Sequence, residues 1–301
     1  IVLERYAKGN GPDSRWTSFS IAKSISSTLV GAALQEGKIK SLQDDVTVYV
    51  PALKGSAYEG VTVGQVLDMS SGVKWNETYR DPKSDRRQMF NAQLGQQAGG
   101  IVAVMAKLQR AQAAGTHFNY STGESFLQAE IIKGATGKTE ADYLSEKVWS
   151  QLGMQTPAYW QLESPNGTEI ASSGFSATLR DYARFGQFVL NDGVVNGKRV
   201  LPAGWVASIA DVAPESHLYP GKLYDGEYDL GYHKQWWILP KGDKAYAEHG
   251  DGAFSAVGIF GQYLYINPRE NVVAVVWSTW PEPEVEKKER ETFDFIAAAI
   301  K

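Results

Sequence analysis

The stretch Ser18-Phe19-Ser20-Ile21-Ala22-Lys23-Ser24 opens the first strong helical pattern of the chain, and its reading decides what the rest must be built around. From Ile21 to Glu36, Ile25, Leu29, Ala32 and Ala33 recur at helical spacing. Ala22 and Val30 widen the apolar face, and Gly37 follows as a C-terminal cap. Ser20 and Lys23 stand three apart, which sets a hydroxyl and an amine on one helical face with Cβ atoms about 5–6 Å apart. A hydroxyl at a helix start lies beside unpaired N–H groups and the positive end of the macrodipole, which favour an alkoxide and a neighbouring oxyanion. The same place also suits a simple capping serine, so the pair by itself does not define a site. A free lysine, with pKa near ~10.4, serves as a base at neutral pH only where burial or nearby positive charge lowers it.

Outward from this helix, the front of the chain reads as a strand over Ile1 to Tyr6, then a Gly- and Pro-marked loop from Lys8 to Ser18. Helical periodicity returns at Thr62 to Leu67, Ile101 to Gln112, Ser125 to Lys133, Glu140 to Leu152 and Thr178 to Leu190. After about Tyr228 short β-branched and aromatic runs take over: Gln235 to Leu239, Ala256 to Phe260, Tyr263 to Ile266 and Val272 to Ser278. A helix over Val285 to Ile300 ends the chain. The expected architecture is α+β, an antiparallel sheet flanked by helices and formed from both chain ends, with a mainly helical region inserted. The boundaries expected are 1–19 with 228–301 for the sheet part and 20–227 for the helical part, the site lying between them.

Composition narrows the function classes. A net charge of −4 with no Lys/Arg block argues against nucleic acid. Absence of cysteine removes disulfides, thiolate metal sites and cysteine nucleophiles. His117, His217, His233 and His249 show no metal-ligand spacing, so no metal and no organic cofactor is expected. His249 precedes the last strands in a loop, where an exposed residue is the simpler reading than one lining the site. No Gly-x-Ser-x-Gly elbow occurs. No apolar run reaches the roughly 20 residues that span a bilayer. The chain starts inside what reads as a strand, so an upstream segment is expected, and bacterial cytoplasm or periplasm is left undecided.

Further stretches give the Ser20–Lys23 pair its company. They are Glu36-Gly-Lys-Ile39 with Ser41-Leu-Gln-Asp-Asp45, Val66-Leu-Asp-Met-Ser-Ser-Gly72, Asn76-Glu-Thr-Tyr-Arg-Asp-Pro82 and Phe118-Asn-Tyr-Ser121. Gly174-Phe-Ser-Ala-Thr178 with Arg180-Asp-Tyr-Ala-Arg-Phe-Gly186, Gln235-Trp-Trp237 and Gly258-Ile-Phe-Gly-Gln262 complete the series. In this order, over nearly the whole chain, they resemble the serine β-lactamase and penicillin-binding protein superfamily in its esterase and class C-like branch, and most closely the 6-aminohexanoate-oligomer hydrolases. The resemblance implies Ser20 as acylated nucleophile, Lys23 as its base, and Tyr120 as acid and base at the leaving group and the deacylating water. A phenol beside an ammonium shuttles one proton with it, which suits that role. The resemblance also implies an oxyanion hole of the Ser20 and Ile259 backbone N–H groups, and a substrate contact at Tyr79.

Two departures bear on substrate. Tyr120-Ser121-Thr122 stands where many relatives have Tyr-x-Asn, so Thr122 offers a hydroxyl in place of an amide. Ala256-Val257-Gly258 stands where lactamases and peptidases have Lys-Thr-Gly, so no ammonium is supplied there for a substrate carboxylate. Gly258, with the Gly-bounded strand it opens, offers backbone to a ligand. Trp236 and Trp237 are candidates to wall the site, against a packing role for either. The expected reaction is hydrolysis of small amides or carboxyl esters through an acyl-Ser20 intermediate. A β-lactamase or D-alanyl-D-alanine peptidase is the enzymatic alternative, and a non-catalytic binder of peptide or cell-wall fragments the alternative of another class. The partner expected is a small molecule, with a homodimer allowed.

Overall fold

The computed structural model describes residues 1–213, 215–218, 222–223, 228–239, 252–283 and 285–300, and His249 lies outside them. In chain order the elements are β1 (Arg15–Thr17), α1 (Ile21–Gln35), α2 (Val63–Leu67), α3 (Asp85–Leu94), α4 (Gly100–Met105), α5 (Thr122–Thr136) and α6 (Glu140–Lys147). Then come β2 (Tyr159–Trp160), β3 (Phe175–Thr178), α7 (Leu179–Leu190), β4 (Val194–Val195), β5 (Lys198–Arg199) and α8 (Ala207–Ala210). The last are β6 (Lys222–Leu223), β7 (Tyr228–Asp229), β8 (Gly231–His233), β9 (Trp236–Ile238), β10 (Phe254–Gly258), β11 (Gln262–Asn267), β12 (Val272–Val276) and α9 (Glu286–Ile300).

Among the described residues the principal sheet has five antiparallel strands in the order β12-β11-β10-β9-β8. β11 is buried along its whole length because both of its faces are covered. On one face Leu264 and Ile266 join the large core with α1, α5 and α7, and on the other Tyr263 and Tyr265 pack with Phe293 and Ile296 of α9. Gly186 of α7 permits close approach, since a Cβ there would lie 2.6 Å from Val273 and 2.8 Å from Leu264. α7, which falls in the stretch expected to be mainly helical, thus packs on the sheet, and the large core includes residues of both stretches.

The front of the chain departs from the expectation. Ile1 to Tyr6 forms no strand, and Ile1, Val2 and Leu3 are exposed. Every described strand of the principal sheet lies between residues 231 and 276. The front contributes β1 instead, paired to β3 with Trp16 opposite Ala177, in a separate three-stranded sheet of order β1-β3-β2. The helical pattern expected up to Gln112 ends at Met105, because the following residues turn to bond with the segment at Gly72 to Lys74. α3 leaves no periodic signal because it carries no apolar stripe, although Ser84 caps it by accepting from the Arg87 N–H.

α1 is buried on every side from Ile21 to Ala33, the state of a helix at the centre of a domain. Its hydroxyls are satisfied locally or by neighbouring carbonyls: Ser24 and Ser27 donate to the Gln235 and Lys234 oxygens at 2.5 and 2.6 Å. Those two residues form the turn between β8 and β9, with φ of 50° and 65°, the left-handed pair that a two-residue hairpin of type I′ demands. The central helix and the sheet are therefore pinned to each other one turn beyond the Ser20–Lys23 pair.

Candidate active site

The chain leaves β1 at Thr17, and the Ser18 N–H extends the pairing by donating to the Phe175 oxygen at 2.8 Å. Phe19 then takes φ of 46°, an uncommon conformation for a side chain of that size, and the chain turns sharply into α1. Ser20 occupies the N-cap position in a helical conformation, and its side chain makes no capping bond. The capping role is thus not what the hydroxyl does. The Ser20 N–H also has no partner among the described residues.

Lys23 is 1% exposed. Its ammonium donates to the Ser172 oxygen at 2.9 Å and the Thr122 hydroxyl at 3.4 Å, and lies 5.5 Å from the centre of the Tyr120 ring. Burial brings its pKa down to about 7; Glu77 opposes the shift and Arg86 adds to it. An amine of that pKa is free base in substantial fraction at neutral pH, which an exposed lysine is not.

Tyr120 is held by its neighbours. The Asn119 N–H donates to the Met69 oxygen at 2.8 Å, the Asn119 amide to the Trp75 oxygen at 3.2 Å, and the Ser121 hydroxyl caps α5 by accepting from the Glu124 N–H. α5 sits close because its glycines allow it: a Cβ on Gly134 would fall 1.9 Å from the Tyr49 oxygen. The Tyr120 ring stacks on Trp237, centroids 5.7 Å apart and planes 13° from parallel, with Tyr232 edge-on to both.

The stretch expected as a Gly-bounded strand is instead the tip of a hairpin. β10 ends at Gly258, the Gly261 N–H returns to the Gly258 oxygen at 3.0 Å, and Gly261 takes φ of 88°, a three-residue loop closed by a left-handed glycine. The Phe260 N–H is taken by the Gln262 side chain, while the Ile259 N–H stays out of the turn's hydrogen bonding. The tip abuts the start of α1. A Cβ on Gly258 would stand 2.8 Å from the Ser18 oxygen, and the rings of Phe19 and Phe260 are 4.9 Å apart. Two unengaged backbone donors, at Ser20 and Ile259, thus lie on segments packed directly together.

Two residues expected as substrate contacts are buried. Trp236 is 0% exposed and edge-on to Phe254 in the core, because alternate residues of β9 face opposite sides and only Trp237 turns towards Tyr120. Thr122 is buried, and its hydroxyl is engaged by Lys23 and Glu77. The absent side chain of Gly258 is accounted for by the approach to Ser18. Tyr79 lies two residues beyond Glu77, its ring under the Arg86 guanidinium at 4.7 Å. Glu77, the Ser172 carbonyl and Gln235 were not singled out from sequence. Glu77 lies in the stretch Asn76 to Pro82 two residues before Tyr79, with no spacing that marks it, and a main-chain carbonyl leaves no mark in a sequence. No group of His, Cys, Asp and Glu able to hold a metal occurs among the described residues.

A buried central helix headed by a serine that does no capping, with an amine of lowered pKa one turn on and a hairpin tip of the sheet bringing a backbone donor to the helix start, defines a class: the serine hydrolases built on the β-lactamase fold. Comparison with known proteins gives the same answer. The β-lactamase family profile matches residues 1–299. The 6-aminohexanoate-dimer hydrolase of Paenarthrobacter ureafaciens is 32% identical over 289 residues, 94% of this chain and 71% of that protein. A Bacillus anthracis structure, proposed to be a 6-aminohexanoate-dimer hydrolase, superposes with a TM-score of 0.83 at 30% identity, covering 99% of this chain and 75% of that one. A family VIII carboxylesterase shares the fold, with a TM-score of 0.72 at 16% identity over 95% of this chain and 83% of its own. The chain belongs to the β-lactamase family, and it is a serine hydrolase of the amidase and esterase type. Among its described residues no helix is long and apolar enough to cross a membrane.

Proposed function

We propose that Ser20 is the nucleophile of an acyl-transfer hydrolase for small linear amides and carboxyl esters, with Lys23 as its base. The observation that carries this is the buried Lys23 amine, its pKa near 7, one turn from a hydroxyl that does no capping. In acylation the Ser20 oxygen bonds to the substrate carbonyl carbon and its proton passes to the Lys23 nitrogen. The carbonyl oxygen, now anionic, is met by the Ser20 and Ile259 N–H groups. Tyr120 protonates the departing nitrogen or oxygen as the C–N or C–O bond breaks, taking a proton in turn from Lys23. Deacylation repeats these transfers in reverse with water as the attacking group, and returns the proton to Ser20.

The substrate reading rests on the aminohexanoate-dimer hydrolase relative and on the chain's own residues. Ala256-Val257-Gly258 brings no cation for the carboxylate of a β-lactam, and Trp237, stacked on Tyr120 and only half-buried, gives aromatic surface suited to a methylene chain. The test sets p-nitrophenyl esters, nitrocefin and an aminohexanoate dimer side by side, with mass spectrometry of the trapped acyl-enzyme. Ester or dimer turnover with the adduct on Ser20, abolished by Ser20→Ala, is the expected result. Nitrocefin turned over as fast as the best ester would move the assignment to a β-lactamase. No labelling of Ser20 by a fluorophosphonate at any pH would leave a binding protein.

A further inference from the structure

We propose that Glu77 is a positioning residue of this reaction: its carboxylate fixes the Thr122 hydroxyl as an acceptor towards Lys23, which keeps the lysine lone pair free for the Ser20 proton. The inference rests on the reading of Ser20 and Lys23 given above.

The geometry is a directed chain. Thr122 has one hydroxyl proton, and the Glu77 carboxylate takes it. A carboxylate is acceptor-only, so the direction of that bond is not open to choice. The hydroxyl oxygen then faces the Lys23 nitrogen at 3.4 Å with lone pairs only. The Ser172 carbonyl, at 2.9 Å, is also acceptor-only. A neutral amine has two N–H bonds and one lone pair, and two acceptors use both N–H bonds. The lone pair is left for the third direction, away from Thr122 and Ser172. Without Glu77 the Thr122 oxygen is no longer fixed as an acceptor, and the amine is free to turn an N–H, in place of its lone pair, towards Ser20.

Glu77 is itself held for this task. Its carboxylate accepts from the Thr122 N–H at 2.9 Å and from the Trp75 indole, and Arg86 stands 3.8 Å away. Thr122 therefore meets Glu77 through both its N–H and its hydroxyl. Glu77 and Arg86 are the charged groups that bear on Lys23, with opposite sign. Tyr120 is the titratable group facing it ahead of α5. From the hairpin β8–β9, Tyr232 is buried and its phenol is pushed well above 10 by that burial, so it stays neutral. The segment at Ser172 presents a carbonyl, and the nearby Glu169 accepts from the Ala141 N–H.

The test is the rate of Ser20 labelling by a fluorophosphonate from about pH 5 to pH 10, with Lys23 followed by NMR of lysine labelled at its ε-carbon. For Glu77→Gln the plateau rate should fall about tenfold or more, and the acid limb should move down by about one pH unit as an anion is lost beside Lys23. Arg86→Gln should move the limb the other way. Thr122→Val should reproduce the loss, Thr122→Ser should restore the wild-type rate, and Glu77→Gln with Thr122→Val should be no worse than either alone. The two Thr122 variants keep the carboxylate, so they decide the matter even if Glu77→Gln does not fold. A labelled wild type from which Thr122→Val does not differ in rate, limb or Lys23 titration overturns this inference alone. A wild type never labelled at Ser20 overturns the proposed function, and this inference with it.

Discussion

Lys23 and Glu124 are ionisable groups in the centre of the molecule, and burial pushes their pKa values in opposite senses, the lysine from 10.5 to about 7 and the glutamate from 4.5 to about 8. For Lys23 the unfolded chain holds a proton between pH 7 and 10.5 that the folded chain has lost, so stability rises with pH across that window, by about 1.4 kcal/mol per unit. For Glu124 the folded chain holds the extra proton between pH 4.5 and 8, so stability falls with pH there. Lys23→Met should therefore narrow its stability advantage, or widen its deficit, as pH is raised from 7 towards 10.5. Glu124→Gln should gain on the wild type as pH is raised from 4.5 to 8. Denaturant unfolding at both ends of each window checks the two slopes. At this scale the spacing of Ser20 and Lys23 on one helix was legible in the sequence, and so was the turn that carries Tyr120. It was silent on Glu77, which reaches Thr122 from an irregular loop 45 residues away.

Turns do at the level of elements what side chains do at the site. Period-two alternation would have separated Trp236 from Trp237, yet not told which faces the core; Gln235 decides that. Its amide donates to the Val66 and Leu67 oxygens while its oxygen accepts from the Ser125 hydroxyl at 2.8 Å, so the β8–β9 turn is locked against α2 and α5. The β10–β11 tip has the composition of a strand, since Ile259 is β-branched and Phe260 aromatic, and only the return bond from Gly261 shows the turn. Gly258 tests how tightly that tip is set. An added methyl would meet the Ser18 oxygen at 2.8 Å and the Gln262 amide oxygen at 2.5 Å, and the former, being main chain, cannot swing aside. Gly258→Ala should therefore shift the Ile259 N–H from the start of α1 and lower kcat about a hundredfold, KM changing far less, since a displacement near 1 Å has that effect on a positioned group. Steady-state kinetics on the best ester decides it. Unchanged kcat would mean that the Ile259 N–H is not an oxyanion donor.

Over the whole molecule, the α+β class and the concentration of strands towards the C-terminus were legible because period and composition change near Tyr228. The origin of the sheet was not, because Ile1 to Tyr6 has a strand's composition and finds no partner strand among the described residues. What unites the parts is one core, in which α1 touches helices on one side and β10 and β11 on the other, and β9 marks where that core ends and the site begins. Trp236 and Trp237 stand on the two sides of this boundary. Trp236 is enclosed with Phe254, and Trp236→Ala should cost about 3–5 kcal/mol of stability as a large core cavity opens. The protein that remains folded should still acylate Ser20, since the Tyr120–Trp237 stack is on the other face. Trp237→Ala removes the surface on which the Tyr120 ring lies, at 5.7 Å and nearly parallel. It should lower turnover about tenfold or more with a stability loss smaller than that of Trp236→Ala, because Trp237 is only half-buried. Paired measurements of unfolding free energy and of labelling rate per folded molecule separate the two effects. If Trp236→Ala also slows labelling as much as Trp237→Ala, the core and the site form one mechanical unit, and β9 is not a boundary between them.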